Sequence, residues 1–520
     1  MVFSSLEFIY LFLPPVLLVF YLLRHYRWET GIVWWLIVSS LAFYAWWSPV
    51  YLILLVSSVT ANFFVHKLLL SSKSRLVLAL GICGNLGLLI YFKYADFMIG
   101  NLNTFTGIEI PLVNVILPLA ISFFTFQQIS FLCDTYRGEI TNCNFSKYCL
   151  FVVFFPQLIA GPIVLQKHTI PQFTVENFTN RIGLNFTVGT TLFVIGLFKK
   201  IVIADGIAPY STAVFGLTEE GHALPIDVAW MGVVAYTFQI YFDFSGYSDM
   251  AIGIARLFGI ILPLNFYSPY KAANISEFWR RWHITLSHFL RDYVYISLGG
   301  NRNGNMKRYS NLFLTMLLGG LWHGAGWNFI IWGALHGSYL MVNLGWQALK
   351  SKYSLFSIES KLYIFTVWLI TFIAVVIGWV FFRAITLDGA ISILSGMFGF
   401  NGIEIPNAIL ARLGSLGISL QMWGITPSNG GTVFIMTWFW NITLIVFVLT
   451  LPNIQDLFFK NQGTLSQFNY EKVSTFWPYR RFFSEISWVD TKRWAFFSGA
   501  CLALGILTLS QVSEFLYFQF

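Results

Sequence analysis

Apolar residues fill this chain in long runs, not in the strict alternation of half-buried strands or the single stripe of surface helices. Runs long enough to cross a bilayer, or nearly so, lie near 6–23, 31–46, 50–70, 76–92, 115–133, 148–165, 185–203, 228–242, 311–321, 327–345, 362–382, 432–451 and 494–512. Several are short or interrupted by Pro, Gly or polar groups, so some are expected to be half-spanning or re-entrant. The pattern predicts an all-α polytopic membrane protein of roughly 11–13 transmembrane or re-entrant helices. No internal repeat or low-complexity linker divides the chain, and residues 1–520 read as a single integral domain.

Composition sharpens this picture. Of 520 residues, 57% are hydrophobic and 10% charged, against about a quarter charged in ordinary soluble domains. The formal charge of +8 points to basic cytoplasmic loops and not to nucleic acid. Arg24 and Arg27 follow the first run, and Lys67, Lys73 and Arg75 follow the third. The stretch Pro452 to Arg493 adds Lys460, Lys472, Arg480, Arg481 and Lys492. With these loops cytoplasmic, both termini are expected on the outer face, which requires an even number of crossings and favours twelve. Leu6 to Leu23, with Pro14 and Pro15 inside it, is expected to be a retained first span and not a cleaved signal. The five cysteines form no C-x-x-C pair, so neither a disulfide framework nor a zinc site is indicated, and buried thiols are expected.

Three segments carry candidate chemistry. In NLFLTMLLGGLWHGAGWNFIIWGALHG, Asn311 to Gly337, His323 has no ionisable neighbour for several residues on either side. An ionisable group kept in hydrocarbon usually faces a bundle interior or a wet cavity. Histidine is suited to take a proton from an attacking hydroxyl and return it to a leaving group. The plainer alternative is an imidazole bonded to a backbone carbonyl, and His336 is the weaker candidate of the two. In EFWRRWHITLS, Arg280, Arg281 and Trp282 could hold a phosphate-bearing donor, since guanidinium forks onto phosphate and stacks on rings. Interfacial anchoring explains the same residues. His283 is either a pocket group or a structural histidine. In YFDFSGYSDMAIG, Asp243 and Asp249 either line a cavity or form buried ion pairs, with Arg280 or Arg281 as the expected partner. The basic and aromatic stretch Lys271 to Arg308 suggests an interfacial or re-entrant element. His25, His66, His168 and His222 read as loop or interface residues.

These three segments together, with MVFSSLEFIYLFLP at the start, AFYAWW at 42–47 and LIAGP before Ile163, closely resemble the membrane-bound O-acyltransferase family in its bacterial polysaccharide branch. The resemblance covers nearly the whole chain and is least over 395–490. It implies a ring of tilted helices around a central tunnel, with the acyl donor entering from the cytoplasm. It implies that His323 is the catalytic histidine and that His283 matches a second histidine of the bacterial branch. It implies acetyl-CoA as donor, although relatives that D-alanylate teichoic acid use a carrier protein. It further implies a relay across the bacterial inner membrane to a periplasmic partner of the SGNH-hydrolase type, which modifies an exported polysaccharide. Alginate is the expected polymer, with peptidoglycan or cellulose as alternatives. The aromatic end Glu514 to Phe520 resembles the tail of the small peptide of the D-alanylation system, which makes Tyr517 an acyl acceptor or part of a docking tail. A small-molecule transporter is the competing class, disfavoured because no inverted repeat is visible. A scaffold that only recruits partners is a third, and it expects loss of His323 to be harmless.

Overall fold

The computed structural model describes residues 1–302, 304–353, 361–458, 464, 486–509 and 516. The described chain is almost entirely helical. A first group comprises α1 (Leu13–His25), α2 (Glu29–Ala45), α3 (Pro49–Ser72), α4 (Arg75–Leu89), α5 (Ala95–Thr106), α6 (Ile121–Tyr136) and α7 (Phe145–Val153). The π-helical turn Ile90–Tyr94 joins α4 to α5. A second group follows: α8 (Ile182–Phe198), α9 (Asp205–Glu219), α10 (Ile226–Leu257), and the short α11 (Ile275–Arg281) and α12 (Ile284–Phe289). Then come α13 (Gly304–His323), α14 (Trp327–Tyr353), α15 (Lys361–Arg383), α16 (Leu387–Met397), α17 (Asn407–Arg412), α18 (Ser415–Met422), α19 (Gly431–Thr450), α20 (Ile454–Phe458) and α21 (Lys492–Thr508). The only sheet among the described residues is a parallel pair of three-residue strands, β1 (Glu404–Pro406) and β2 (Thr426–Ser428).

Among the described residues, six helical stretches are long and apolar enough to cross a membrane: Glu7–His25, Pro49–Ser72, Arg75–Thr106, Ile182–Glu219, Lys361–Arg383 and Gly431–Phe458. The chain is an all-α polytopic membrane protein. The roughly 11–13 segments expected from sequence include helices that hydropathy alone does not separate. Among these are α10, α13 and α14, whose buried polar groups and glycines lower their apolar character, and they are the helices that build the site.

α10 occupies the centre. Every residue from 235 to 258 is buried, as expected of a helix enclosed by protein on all sides. Its 32 residues span about 48 Å at 1.5 Å per residue, more than the hydrocarbon core requires. The run expected at 228–242 therefore continues through the whole YFDFSGYSDMAIG segment. α8 lies against α10 at glycines spaced seven apart on each helix. A Cβ on Gly196 would meet the Gly246 carbonyl at 2.6 Å, and one on Gly253 the Gly189 carbonyl at 2.6 Å. Only hydrogen fits between these backbones, the close approach that small residues permit in membrane bundles.

Two expected spans are rearranged. The run at 115–133 becomes helical only at Ile121, because Pro118 and a left-handed Ala120 (φ 62°) start a new helix there. The run at 148–165 breaks after Val153; a short helical turn, Phe155–Leu158, follows, and the continuation through Gly161 and Pro162 is irregular but buried. Irregular backbone at membrane depth is tolerated where protein satisfies it. Here Gln157 donates to the Phe151 carbonyl at 2.6 Å, and Thr285 Oγ1 accepts from the Ile163 N–H at 3.0 Å. Within Lys271 to Arg308, α11 and α12 fold in against the bundle, whereas most described residues of 291–308 are partly or fully exposed. Cys83 is exposed on α4 and not buried as expected, and His66 is a core residue of α3 bonded to Thr135 Oγ1 at 2.8 Å.

Candidate active site

The tight α13–α14 hairpin places His323. A Cβ on Gly320 would lie 2.3 Å from the Phe329 carbonyl and 2.9 Å from the Gly333 Cα, so the two helices touch backbone to backbone. His323 is the last residue of α13 and is 6% exposed. Its ring is boxed edge-on by Trp322, Trp332 and Phe382, with centroids at 4.8, 5.1 and 5.0 Å. His336, on the far side of Trp332, is fully buried against Trp332 and Trp279. Its neighbours are rings and Gly378, so it is a packing residue of the α14–α15 interface.

His283 shares the aromatic wall with His323. Its ring sits 4.9 Å from Phe244 and 6.2 Å from Trp322, and Phe244 also lines the small cavity beside His323. His283 holds a left-handed conformation (φ 42°) at the start of α12. Asn265 explains its orientation. Asn265 Oδ1 accepts from the Thr285 N–H at 3.4 Å and from Thr285 Oγ1 at 2.9 Å, and lies 3.0 Å from His283 Nδ1. An atom that accepts from a backbone N–H is an oxygen, so His283 Nδ1 carries the proton and Nε2 is the basic nitrogen. Asn265 was not legible as a site residue in the sequence, because it lies eighteen positions from the histidine it orients.

The two acids of α10 pair with lysines. Lys199 Nζ meets Asp249 at 2.6 Å, and Lys200 Nζ meets Asp243 at 2.6 Å and Asp205 at 2.7 Å. The partners expected from sequence were Arg280 or Arg281, and the structure corrects this. A π-helical turn, Lys199–Ala204, turns both adjacent lysines inward from the end of α8. Asp243 forms part of the wall of the cavity holding His323, and the Leu516 N–H donates to its carboxylate.

Two larger spaces lie at opposite ends of α13. The first, about 580 Å³, is walled by Arg280, Arg281, Arg291, Arg308 and Trp279 and reaches α13 at Met316. Arg281 is tied to Glu277 at 2.5 Å and Arg291 to Asp292 at 2.6 Å. Among the described residues no carboxylate lies within ion-pair distance of Arg280 or Arg308. Arg291 and Arg308 were visible in the basic run but were not singled out; folding brings them onto the same wall. Trp282 was expected beside the two arginines. It lines the inner cavity with His323 instead, stacked on Phe278 and 4.8 Å from Trp379. The second space, about 370 Å³, is a crevice lined by Trp47, Lys93, Phe123 and Trp322. Trp322 thus separates this crevice from the histidine that follows it in sequence. Tyr517 lies outside the described residues. Its neighbour Leu516 is described, is 5% exposed and lines the inner cavity beside His323.

An imidazole at one end of α13, with an arginine-walled space reaching the same helix at Met316 and a crevice against its neighbour Trp322, suits transfer of a group between two reactants that arrive from different sides. Residues 17–386 match the model of MBOAT, the membrane-bound O-acyltransferase family. The chain belongs to the membrane-bound O-acyltransferase family. It is 39% identical over 560 residues to the peptidoglycan O-acetyltransferase of Helicobacter pylori (strain ATCC 700392 / 26695), with 100% of this chain and 98% of that protein aligned. It is 41% identical over 430 residues to the probable alginate O-acetylase AlgI of Azotobacter vinelandii, with 81% of this chain and 82% of that protein aligned. The corresponding protein of Pseudomonas aeruginosa is 41% identical over 428 residues, covering 80% of this chain and 79% of its own length. The protein is therefore a membrane-embedded acyltransferase, and the transporter reading falls away.

Proposed function

We propose that the protein moves acetyl groups from cytoplasmic acetyl-CoA across the bacterial inner membrane for O-acetylation of peptidoglycan. The carrying observation is the placement of His323 at the crevice end of α13, the helix whose other end lines the arginine-walled space. The arginine-walled space suits the phosphates of a CoA donor, with Arg280 and Arg308 available for them and Trp279 for a ring. Arg302, Lys307 and Arg308 cluster at the same end of α13, which favours a cytoplasmic position. The crevice is lined by Trp47 from the α2–α3 turn and by 116–123, at the ends of their hairpins away from Arg24, Arg27, Lys73 and Arg75. That favours an outer position, with both termini periplasmic.

In the proposed step, His323 takes the proton of an acceptor hydroxyl as the oxygen bonds to the thioester carbonyl carbon. The C–S bond breaks, and the imidazolium returns the proton to the departing thiolate. The products are an O-acetyl ester and the free CoA thiol. His283, with Nε2 basic, is the second candidate for proton transfer or for orienting the acceptor. Tyr517 follows the Leu516 that lines the inner cavity, so its phenol is the proposed first acceptor, with a docking tail as the alternative. From there the acetyl group passes to a periplasmic partner of the SGNH-hydrolase type. The segment 384–430 is a surface for that partner. It begins at the crevice end, where Asn328 Nδ2 donates to the Ala384 carbonyl at 2.8 Å, and exposes Phe400, Met422 and Trp423.

Peptidoglycan is favoured over alginate by length of match. The alignment with the H. pylori protein runs through the whole of both chains, whereas those with the alginate proteins leave about a fifth of this chain unmatched. The slightly higher identity to the alginate proteins is the observation on the other side. Deleting the gene and measuring base-labile acetate on purified sacculi tests the polymer. Loss of that acetate is expected. Full peptidoglycan acetylation with loss from exported alginate would move the assignment to alginate.

A further inference from the structure

α13 ends at His323, and the chain leaves through Gly324, Ala325 and Gly326. The last carbonyls of a helix have no partner within it, and these three residues offer no side-chain donor. The donors come from a distant element. Lys93 Nζ donates to the carbonyl of Trp322 at 2.7 Å and to that of His323 itself at 2.9 Å. Tyr94 OH donates to the carbonyl of Leu321 at 2.6 Å. Three consecutive carbonyls at the end of α13 are thus held by two adjacent side chains.

Adjacent residues on an ordinary α-helix diverge by about 100° and do not both face one target. Lys93 and Tyr94 close the π-helical turn Ile90–Tyr94, which widens the helix locally and lets both reach inward. A cation at a helix C-terminus is also aligned with the helix dipole. Among the described residues no carboxylate lies within ion-pair distance of Lys93. Its described partners are those two carbonyls, and it also lines the crevice beside Trp322.

We propose that Lys93, assisted by Tyr94, is a positioning residue for the reaction: it clamps the end of α13 and so fixes the imidazole of His323 relative to donor and acceptor. This rests on the reading of His323 as the transferring base. Lys93 touches no reacting atom in this scheme. Removing it leaves the donor space intact and lets the histidine drift from its working geometry. Misplacement of about 1 Å costs on the order of 10²-fold in rate.

The test uses the full-length protein in detergent or nanodiscs with radiolabelled acetyl-CoA. Lys93→Met keeps the stem and removes the donors, Lys93→Arg keeps a cation with several donors, and Tyr94→Phe removes one hydroxyl. Expected for Lys93→Met is a kcat lower by about 10²-fold with KM for acetyl-CoA within about twofold, with Lys93→Arg recovering part of kcat. Tyr94→Phe should show a smaller loss in the same direction. If Lys93→Met does not fold, Lys93→Arg and Tyr94→Phe carry the test, and wild-type kcat in both overturns the proposal. A folded Lys93→Met at wild-type kcat also overturns it, as does a defect confined to KM. His323→Ala is measured alongside. An inactive His323→Ala with a fully active Lys93→Met defeats only the clamp, whereas an active His323→Ala defeats the base assignment beneath it.

Discussion

Gly320→Ala adds one methyl group at the point where α13 and α14 touch, three residues before His323. The added Cβ would sit 2.3 Å from the Phe329 carbonyl and 2.9 Å from the Gly333 Cα, where ordinary contact begins near 3.4 Å. Both obstacles are backbone, so no side chain can swing aside. The helices must part by roughly 1 Å, an overpacking of the kind that costs about 1–3 kcal/mol of stability. The displacement is carried one turn along α13 to the imidazole. A shift of that size in a catalytic group lowers turnover on the order of 10²-fold. Gly345, further along α14, has nothing within 4 Å of its would-be Cβ, so Gly345→Ala is the matched control. The assay is acetyl transfer from labelled acetyl-CoA by each purified variant, with thermal midpoints recorded in the same detergent. Expected is a folded, somewhat destabilised Gly320→Ala with kcat down about 10²-fold, and a Gly345→Ala indistinguishable from wild type. Wild-type turnover in Gly320→Ala would show that His323 geometry does not depend on this hairpin contact.

Other outcomes follow from the same geometry. Arg308→Gln, on the wall of the arginine-lined space, should raise KM for acetyl-CoA by about tenfold, equivalent to about 1.4 kcal/mol of binding, with kcat nearly unchanged in steady-state assays. Lys200→Met removes the cation paired with the buried Asp243 and should destabilise the protein by about 3–5 kcal/mol, read as a lowered thermal midpoint in detergent. Asn265→Ala removes the acceptor of His283 and Thr285, and should cost about 1–3 kcal/mol of stability with less loss of turnover than His283→Ala. Tyr517→Phe keeps the ring and removes the hydroxyl. Loss of polymer acetylation with normal partner binding is expected for a relay, and full acetylation for a docking tail.

The membrane class was legible, and His323 stood out as a candidate, because both follow from local pattern. A long apolar run containing one isolated imidazole needs no knowledge of tertiary structure to stand out. The family resemblance implies a role for His323, and the structure adds the contact at Gly320 and Gly333 that sets its position. What could not be read was long-range pairing. Asp243 and Asp249 were open to ion pairing or to lining a cavity, but their partners lie on the π-helical turn after α8, more than forty residues away, and not in the nearby arginine pair. Trp282 adjoins Arg281 in sequence, yet the chain turns between them, so Arg281 lines the arginine-walled space and Trp282 the inner cavity. Lys93 was not singled out in the sequence. Its role emerges from a local widening of the helix and from carbonyls some 230 positions away.

The most direct measurement is single-turnover acetyl transfer by purified His323→Ala, with acetyl-CoA binding determined on the same sample. Expected is normal insertion and donor binding with transfer slowed by about 10²–10⁴-fold, the usual loss when a general base is removed. A folded His323→Ala that transfers acetyl groups at the wild-type rate would contradict the assignment of this histidine as the group that carries the reaction.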